Sequence, residues 1–419
     1  MLYELHELRH QALSPLMMWM QASAGLFSNP YSLLAYTPFS RNFAAGYDLL
    51  LRLGKRYEKP EFGLKETVID GKHVAVTESV VLEKPFCRLL HFQRATSHKD
   101  PKVLVVAPLS GHYATLLRDT VRAMLPDCDV YITDWANANT VPLSQGPFHF
   151  DDYVDYVREF IAHVGARAHV ISVCQPTVPV LAAISLMAAK KDPNVPLTMT
   201  MIGGPIDTRK SPTAVNAFAT QRDLSWFENH LIQRVPGKYA GHGRRVYPGF
   251  LQHLGFVAMN PSRHRESHWD YYSDLVKGDG EGAAAHRRFY DEYNAVLDLP
   301  AEYYLDTVKV VFQQHLLPQG KMHVRGELVQ PWAIRNTALL TIEGELDDIS
   351  GSGQTEAAHA LCSNIPSDKQ QHLTIKGAGH YGIFSGRRYR ENVYPHILHF
   401  IKKYEKTQGK SRPAVETEK

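Results

Sequence analysis

Six short, mostly apolar runs recur along the chain, and helical stretches lie between most of them. Runs of this kind, of which 102–107 is the most continuous, are typical of parallel strands that are buried on both faces. The stretch 150–164 has apolar residues at helical spacing, whereas 178–189 is apolar throughout. This alternation predicts an α/β fold with a mostly parallel, doubly wound sheet. The runs are 102–107, 130–135, 169–173, 197–203, 338–342 and 372–375.

Other elements are predicted around these strands. Residues 74–82 and 86–93 have the composition of two extended segments joined as an antiparallel hairpin. Helices are expected over 113–125, 355–362 and 388–404. Residues 1–60 are also expected to be helical, with breaks near Asn29-Pro30 and Thr37-Pro38.

The alternation of strands and helices stops at Gly204-Pro205 and resumes at residue 338. The stretch between is rich in Trp, Tyr and Phe and is predicted to be a largely helical cap inserted into the sheet domain. We expect most of its aromatic side chains to form the core of the cap and some to line a substrate cleft. The predicted division of the chain is 1–60 (N-terminal helical segment), 61–204 (first part of the sheet domain), 205–330 (cap), 331–405 (second part of the sheet domain) and 406–419 (polar tail).

The N-terminal segment contains an apolar stretch at 16–27 in which Ala22-Ser23-Ala24 is similar to a signal-peptide cleavage site. The charged residues that precede this stretch are unlike a signal peptide, and the stretch is too short to cross a bilayer. We therefore expect one or two helices over 1–24. Their apolar face would pack on the same domain, on a partner subunit or on an apolar surface. That face is predicted to contain Leu13, Leu16, Met17 and Met20.

Composition narrows the class of protein. The chain has 419 residues, 44% of them hydrophobic and 21% charged, which is typical of a globular enzyme. The net charge of +3 gives no reason to expect nucleic acid as a partner. The four cysteines are widely spaced and indicate a reducing compartment, not a disulfide framework. Cys87, Cys128 and Cys362 are expected to be inert core residues.

Cys174 is the exception, because it stands where the strand 169–173 turns into the helix 178–189. A nucleophile on such a turn, with small residues two positions away on either side, is the nucleophile elbow of the α/β-hydrolase fold. The flanking residues here are Ser172 and Pro176. Proline is tolerated at the start of a helix because its missing N–H has no partner there. The sequence therefore predicts an α/β-hydrolase fold with Cys174 as the nucleophile.

Two further loops supply partners for this cysteine. The strand 338–342 leads into a loop with Asp347 and Asp348, and the strand 372–375 leads into a glycine-rich loop that ends at His380. The order of nucleophile, acid and histidine is that of α/β-hydrolases. All three positions follow the carboxyl ends of strands, where such sheets build their sites. Asp347 is preferred as the acid because it occupies the turn position of Gly-x-x-Asp, and Asp348 remains the alternative.

The expected chemistry follows from these residue types. A thiol is only slightly ionised at neutral pH, so Cys174 needs His380 as a base. A carboxylate on the other ring nitrogen would hold the imidazole and stabilise its charged form. The backbone N–H groups of Gln175 and of Leu109 are the predicted oxyanion donors. No metal or nucleotide motif is found, and the pairs His264/His268 and Asp151/Asp152 are interpreted as polar surface.

Several segments together resemble the intracellular polyhydroxyalkanoate (polyhydroxybutyrate) depolymerases, and the similarity extends from the N-terminal helices to about residue 404. The segments are APLSGHYATLLRDTV, TDWANA, VCQPTVP, MIGGPIDTRKSPTAVN and GAGHYGIFSGRRYREN. That family uses cysteine as its nucleophile, so the resemblance implies the triad Cys174, Asp347 and His380.

The resemblance also implies a substrate and a location. The expected activity is cleavage of ester bonds in amorphous poly(3-hydroxybutyrate), through a thioester acyl-enzyme and without a cofactor, to release 3-hydroxybutyrate oligomers and monomers. The expected location is the bacterial cytoplasm, at the surface of storage granules. Water is the expected acyl acceptor, and coenzyme A remains open as another. A homodimer is also left open, and no transmembrane segment is expected.

Three alternatives remain at this point. The first is a polyhydroxyalkanoate synthase, which shares a cysteine triad on this fold but usually has Gly-x-Cys-x-Gly where this chain has Ser172 and Pro176. The second is a catalytically inactive protein of the granule coat. The third is a cysteine hydrolase that acts on small molecules.

Overall fold

A nine-stranded sheet forms the centre of the protein, which is represented by a computed structural model that describes residues 2–29, 31–259 and 261–407. A three-stranded sheet (β8 to β10) and a two-stranded hairpin (β11 and β12) accompany it. The strands are β1 (Glu66–Ile69), β2 (Lys72–Lys84), β3 (Cys87–Arg94), β4 (Lys102–Val106), β5 (Asp129–Trp135), β6 (His169–Val173), β7 (Thr198–Ile202), β8 (Gln233–Arg234), β9 (Arg245–Tyr247), β10 (Leu299–Pro300), β11 (His323–Val324), β12 (Glu327–Leu328), β13 (Ala338–Gly344) and β14 (Gln370–Ile375).

The α-helices lie between these strands and at both ends of the described chain. Short 3-10 turns occur at Leu33–Tyr36, Ala114–Leu117 and His380–Ile383, among other places, and π-helical turns at Val308–Gln313 and Tyr389–Val393. The α-helices are α1 (Leu2–Ser28), α2 (Ser40–Gly54), α3 (Arg118–Met124), α4 (Phe150–Val164), α5 (Thr177–Ala189), α6 (Ala214–Thr220), α7 (Leu224–Leu231), α8 (Gly249–Met259), α9 (Pro261–Lys277), α10 (Gly280–Tyr293), α11 (Ala301–Thr307), α12 (Ala358–Leu361), α13 (Gly386–Arg388) and α14 (Tyr394–Thr407).

The order of strands across the central sheet is β1-β2-β3-β5-β4-β6-β7-β13-β14. The first three strands are antiparallel to their neighbours, and β5 to β14 run parallel. From β4 the chain first moves outward to β5 and then returns to the other side of β4 as β6. Such a reversal opens a crevice beyond the carboxyl ends of the two strands. The α/β-hydrolase fold predicted from the sequence is confirmed.

Burial explains why the parallel strands were recognisable in the sequence. Every residue of β6, β7 and β13 is buried, and β4 is buried except at Lys102. Helix α5 is also buried through most of its length, because it packs between the sheet and α4. The predicted strands, the antiparallel hairpin and the helices over 150–164 and 178–189 are confirmed with small changes at their ends.

Residues 205–330 form the six helices α6 to α11, the small sheet and the hairpin. Three of these helices carry aromatic side chains that reach the sheet domain. The ring of Tyr303 on α11 stacks on Tyr153 of α4, with 5.4 Å between centroids. The ring of Phe256 on α8 stacks on His112, which follows β4, at 4.8 Å. The segment predicted as a cap therefore lies against the carboxyl end of the sheet.

Two predicted helices differ from the structure near the site. The helix expected over 355–362 is only the single turn Ala358–Leu361. The residues before it form turns that are held by the buried carboxylate of Glu343, which accepts hydrogen bonds from the N–H groups of Gly353, Thr355 and Glu356. The helix expected over 113–125 begins as a 3-10 turn and becomes α3.

Some expectations about surfaces are corrected. Leu16, predicted to lie on a packed face of α1, is 50% exposed, while Met20 is buried. His264, interpreted as polar surface, is in fact buried. Its Nδ1 and Nε2 lie 2.9 and 3.2 Å from the hydroxyls of Tyr290 and Tyr293, so the buried ring has hydrogen-bond partners. Most of the predicted polar tail, from residue 408 onward, lies outside the described residues.

Candidate active site

Cys174 occupies the sharp turn between β6 and α5. Its φ angle is +69°, a conformation that costs a non-glycine residue about 1–3 kcal/mol. The turn is held on both sides, since the Cys174 N–H donates to the carbonyl of Ile202 at 2.7 Å and the Cys174 carbonyl accepts from the N–H of Thr177 at 3.2 Å. Unlike the other three cysteines, which are buried, Cys174 is partly exposed. The structure therefore presents this thiol at the end of the crevice.

Small residues after β7 make room for this turn. A Cβ atom on Gly204 would lie 1.9 Å from the hydroxyl of Thr177, at the start of α5. A Cβ atom on Gly203, whose φ is +57°, would lie 3.2 Å from the ring of His380 and 3.4 Å from the carboxylate of Asp347. Sequence analysis did not assign a role to this pair. The sequence did contain a sign of this close packing, because two consecutive glycines directly follow a buried strand.

Asp347 and His380 are brought together from separate loops. The Nδ1 of His380 lies 2.8 Å from Oδ2 of Asp347, and both side chains are almost completely buried. The other carboxylate oxygen accepts hydrogen bonds from the N–H groups of Ile349 and Ser350, each at 2.9 Å. These contacts fix the carboxylate so that one oxygen points at the ring. Asp348, the alternative acid, is exposed.

The pKa of His380 reflects this arrangement. Burial alone would lower it, but the nearby Cys174 sulfur and the Asp347 carboxylate more than offset this effect, so the pKa of His380 is raised above its usual value. Cys174 contributes both through charge and as a hydrogen-bond partner of the ring. The charged imidazolium is therefore the form of His380 that this environment favours.

The predicted oxyanion donors lie at the crevice between β4 and β6. Gln175 follows Cys174 directly, and Leu109 lies in the loop after β4. Among the described residues, the backbone N–H groups of Gln175 and Leu109 have no hydrogen-bond acceptor. Buried N–H groups are rarely left unpaired. These two groups are therefore available to bind an oxygen of a ligand, as an oxyanion hole requires.

Two buried polar side chains beside the thiol were missed by sequence analysis. The amide of Gln175 and the hydroxyl of Tyr303 are buried and form no hydrogen bond of normal geometry in the described part of the chain, although the two side chains lie close enough to interact with each other. Burial raises the pKa of Tyr303 well above its usual value, and the neighbouring Cys174 adds to the effect. Unpaired buried polar atoms are costly. Both side chains therefore place polar atoms next to Cys174.

Aromatic rings cover the histidine side of the crevice. His112, after β4, stacks on Phe256 and donates from Nε2 to the carbonyl of Tyr293 at 3.1 Å. Burial lowers the pKa of His112 to about 4, so this ring is neutral at pH 7. Tyr381 contacts both His380 and Tyr293. Phe256 on α8 and Tyr293 on α10 were not singled out in the sequence, and the structure places both rings near the site.

The residues considered for metal binding have other contacts. Asp151 and Asp152 bind the backbone and guanidinium of Arg325, and Asp152 also accepts from the N–H of His149 at the start of α4. In the described part of the chain, no group of three or more His, Cys, Asp or Glu residues is arranged to hold a metal ion. None of the helices over residues 2–29, 31–259 and 261–407 combines the length and apolarity needed to span a membrane.

The chain is similar in structure to several solved hydrolases at low sequence identity. A monoacylglycerol lipase from Paleococcus ferrophilus shares 13% identity over 73% of this chain and 96% of its own, with a TM-score of 0.40. The 2-hydroxy-6-oxo-6-phenylhexa-2,4-dienoate hydrolase from Rhodococcus sp. strain RHA1 shares 10% identity over 78% and 99%, with a TM-score of 0.44. A carboxylesterase structure from Nitrososphaera gargenis shares 11% over 79% and 99%, with a TM-score of 0.40.

Comparison of the sequence with protein families gives a more specific result than the structural similarities. No curated protein shows significant similarity to the chain. The family model described as "PHB de-polymerase C-terminus" matches residues 203–405, where PHB denotes polyhydroxybutyrate. This match begins at the glycine pair after β7 and includes the loops that carry Asp347 and His380. Over residues 203–405, just under half of its length, the chain is therefore similar to the PHB depolymerase family, which supports a hydrolase of carboxylic esters.

Proposed function

We propose that the protein cleaves ester bonds of amorphous poly(3-hydroxybutyrate) with Cys174 as nucleophile, His380 as acid and base, and Asp347 as the residue that orients the histidine. The observation that carries the proposal is the 2.8 Å contact between His380 and Asp347 beside a cysteine on a strained strand-to-helix turn. The family match supports a polyester as the substrate. The expected site of action is the surface of storage granules in the cytoplasm.

In the first half of the reaction, the Cys174 sulfur attacks an ester carbonyl carbon of the polymer. The carbonyl oxygen becomes negatively charged and binds the N–H groups of Gln175 and Leu109. The C–O ester bond then breaks, and the imidazolium of His380 gives its proton to the leaving alkoxide. One polymer fragment leaves with a free 3-hydroxyl group, and the other remains attached to Cys174 as a thioester.

In the second half, His380 acts as a base. The Cys174 sulfur no longer carries charge in the thioester, so one of the two effects that raise the pKa of His380 is lost. The neutral ring accepts a proton from water as the oxygen attacks the thioester carbon. The carbon–sulfur bond breaks and releases a 3-hydroxybutyrate acid, which regenerates the thiolate–imidazolium pair.

The unpaired polar atoms near Cys174 fit an oxygen-rich chain. The repeat unit of the polyester presents further ester oxygens close to the bond that is cut. The Tyr303 hydroxyl can donate to a carbonyl oxygen, and the Gln175 amide can both donate and accept. Binding the neighbouring ester in this way would give both side chains a hydrogen bond of normal geometry. We therefore assign these two residues to substrate binding.

A test compares wild-type protein with Cys174→Ala on amorphous poly(3-hydroxybutyrate). Mass spectrometry of wild-type protein stopped early in turnover should detect a 3-hydroxybutyryl adduct on Cys174, and the variant should release no product. Cys362→Ala is the matched control, since it removes a buried thiol far along the chain from the elbow. Product release by Cys174→Ala at the wild-type rate would contradict the proposal.

The same assay tests the acyl acceptor and the alternatives. Added coenzyme A should leave the product as the free acid if water is the acceptor, and should yield a coenzyme A thioester if thiolysis occurs. Incubation with 3-hydroxybutyryl-coenzyme A should give no polymer, whereas a synthase would extend a chain. An inactive coat protein would leave the polymer intact. The depolymerase family match favours hydrolysis over both alternatives.

A further inference from the structure

The N-terminal hairpin, defined as residues 2–54 with α1 and α2, exposes apolar side chains to an unusual degree. The described residues include twenty-five exposed large apolar side chains, and fifteen of them lie in this hairpin. Leu33 and Tyr31, in the connection between the helices, are 90% and 96% exposed. Exposed apolar patches of this kind mark interaction surfaces. Others in the group are Met18, Trp19, Tyr36 and Phe39.

The inner side of the hairpin makes several charged contacts beside a few buried apolar residues, whereas a surface helix usually turns its apolar face inward. Arg52 forms an ion pair with Asp291 at 2.7 Å, and Asp48 accepts a hydrogen bond from Tyr271. Glu7 is buried against Tyr239 and Lys238. The charged groups of α1 and α2 are thus used to hold the hairpin on the segment 205–330. Tyr3, Met20 and Ala45 are buried, but most of the large apolar side chains of the hairpin face outward.

The charge of the outer surface indicates what it binds. No Asp, Glu, Lys or Arg occurs between Arg9 and Arg41, in a chain that is 21% charged. Helices that bind anionic membranes carry Lys and Arg along their polar face, and interfaces between proteins have a polar rim. An apolar stretch without charges, rich in Leu, Met and aromatic residues, best fits a partner that is apolar and uncharged.

The hairpin also contacts helix α8, which packs beside the candidate active site. Near the start of α1, the His6 ring stacks on Phe250 of α8, with 4.1 Å between centroids. The same helix α8 carries Phe256, which stacks on His112 beside the crevice. A surface bound by the hairpin is therefore linked through one helix to the residues around Cys174.

We propose that residues 10–40 of the N-terminal hairpin are the docking surface for the uncharged polyester phase. This inference rests on the proposed function, because it takes the polymer from that proposal. The hairpin would bind the surface of the amorphous polymer by burying its outward apolar side chains. Polymer chains that protrude from the bound granule would then enter the crevice and be cleaved at Cys174.

The test uses full-length protein and artificial amorphous poly(3-hydroxybutyrate) granules. The double variant Tyr31→Glu/Leu33→Glu changes two side chains that are almost fully exposed, so the fold should be unaffected. Burial of two such side chains predicts a loss in granule affinity of about tenfold or more, measured by co-sedimentation. Hydrolysis of a soluble 3-hydroxybutyrate trimer should stay within about twofold of wild type. Leu143→Glu, at an exposed leucine outside the hairpin, is the matched control and should bind granules normally.

Each outcome decides the proposal. Wild-type affinity of the double variant for granules would overturn it, as would a wild-type protein that does not sediment with granules. Stronger binding to anionic phospholipid vesicles than to granules would assign the surface to a membrane instead. A wild-type dimer that becomes a monomer in the double variant would assign it to a second copy of the chain. Failure of the proposed function is separate, because it would appear as hydrolysis by Cys174→Ala while that variant still binds granules.

Discussion

The parallel strands β4 to β7 and the N-terminal hairpin use apolar side chains in opposite ways. In the strands, the apolar residues are buried because each strand has a neighbour on both sides and helices pack on the sheet. In the hairpin, the side that faces the protein includes charged contacts such as Arg52 with Asp291, and most of the large apolar side chains face outward. An apolar sequence therefore predicts burial only where other strands or helices pack against the segment on every side.

The largest effect is expected for Asp347→Asn, a variant that should impair catalysis in the crevice of the sheet domain without affecting granule binding by the hairpin. Asp347→Asn removes the carboxylate that accepts from His380, so the imidazole loses its orientation and the partner of its charge. We expect kcat on soluble 3-hydroxybutyrate trimer to fall by about 10³- to 10⁴-fold. Binding to granules should not change. Asp348→Asn is the control, and a larger loss in this variant than in Asp347→Asn would reverse the assignment of the acid.

A stability measurement addresses the comparison directly. Leu104→Ala in β4 removes a fully buried side chain and should lower the free energy of unfolding by about 2–5 kcal/mol. Leu33→Ala in the hairpin removes the same atoms from an exposed position and should change it by less than about 0.5 kcal/mol. Denaturant unfolding of both variants measures the difference. Equal losses would mean that the hairpin is packed and the comparison is wrong.

The pH dependence of the site gives a third test. The pKa of His380 is raised above its usual value, so the charged ring is the form that the folded protein favours. Its contribution to stability is complete below about pH 6.5, the ordinary pKa of histidine, and is lost as the pH rises through the raised pKa. The stability advantage of wild type over Asp347→Asn should therefore shrink with rising pH. NMR titration of the His380 ring should give a lower pKa in the variant, and an unchanged pKa would contradict the assigned cause.

The smallest expected effect concerns substrate binding in the crevice. Tyr303→Phe keeps the ring stacked on Tyr153 but removes the unpaired hydroxyl. We expect KM for the soluble trimer to rise by about tenfold with little change in kcat, because one hydrogen bond to an ester oxygen is lost. Tyr389→Phe is a matched control, since it removes another buried, unpaired hydroxyl from the π-helical turn before α14. Equal changes in both variants would exclude a specific role for Tyr303.

Several elements could be predicted because their signals are local. The strands β6 and β13 are mostly apolar runs followed by turn residues, and Cys174 stands directly after β6. The prediction of a helix over 355–362 was wrong because the residues before the single turn are held in other turns by Glu343. This buried carboxylate of β13 accepts hydrogen bonds from three backbone N–H groups. Helical propensity carries no information about a carboxylate on another strand.

The sequence by itself determined the order of strands and motifs along the chain, the fold class and the three residues proposed for catalysis, because apolar runs and the loops after them can be recognised in the sequence. Only the tertiary structure decided which polar atoms are left without partners beside Cys174 and which apolar side chains remain outside. Gln175 and Tyr303 are far apart in sequence and meet only when α11 packs on the sheet domain. Burial and exposure depend on what surrounds a side chain in space, and that is set by the packing of distant segments.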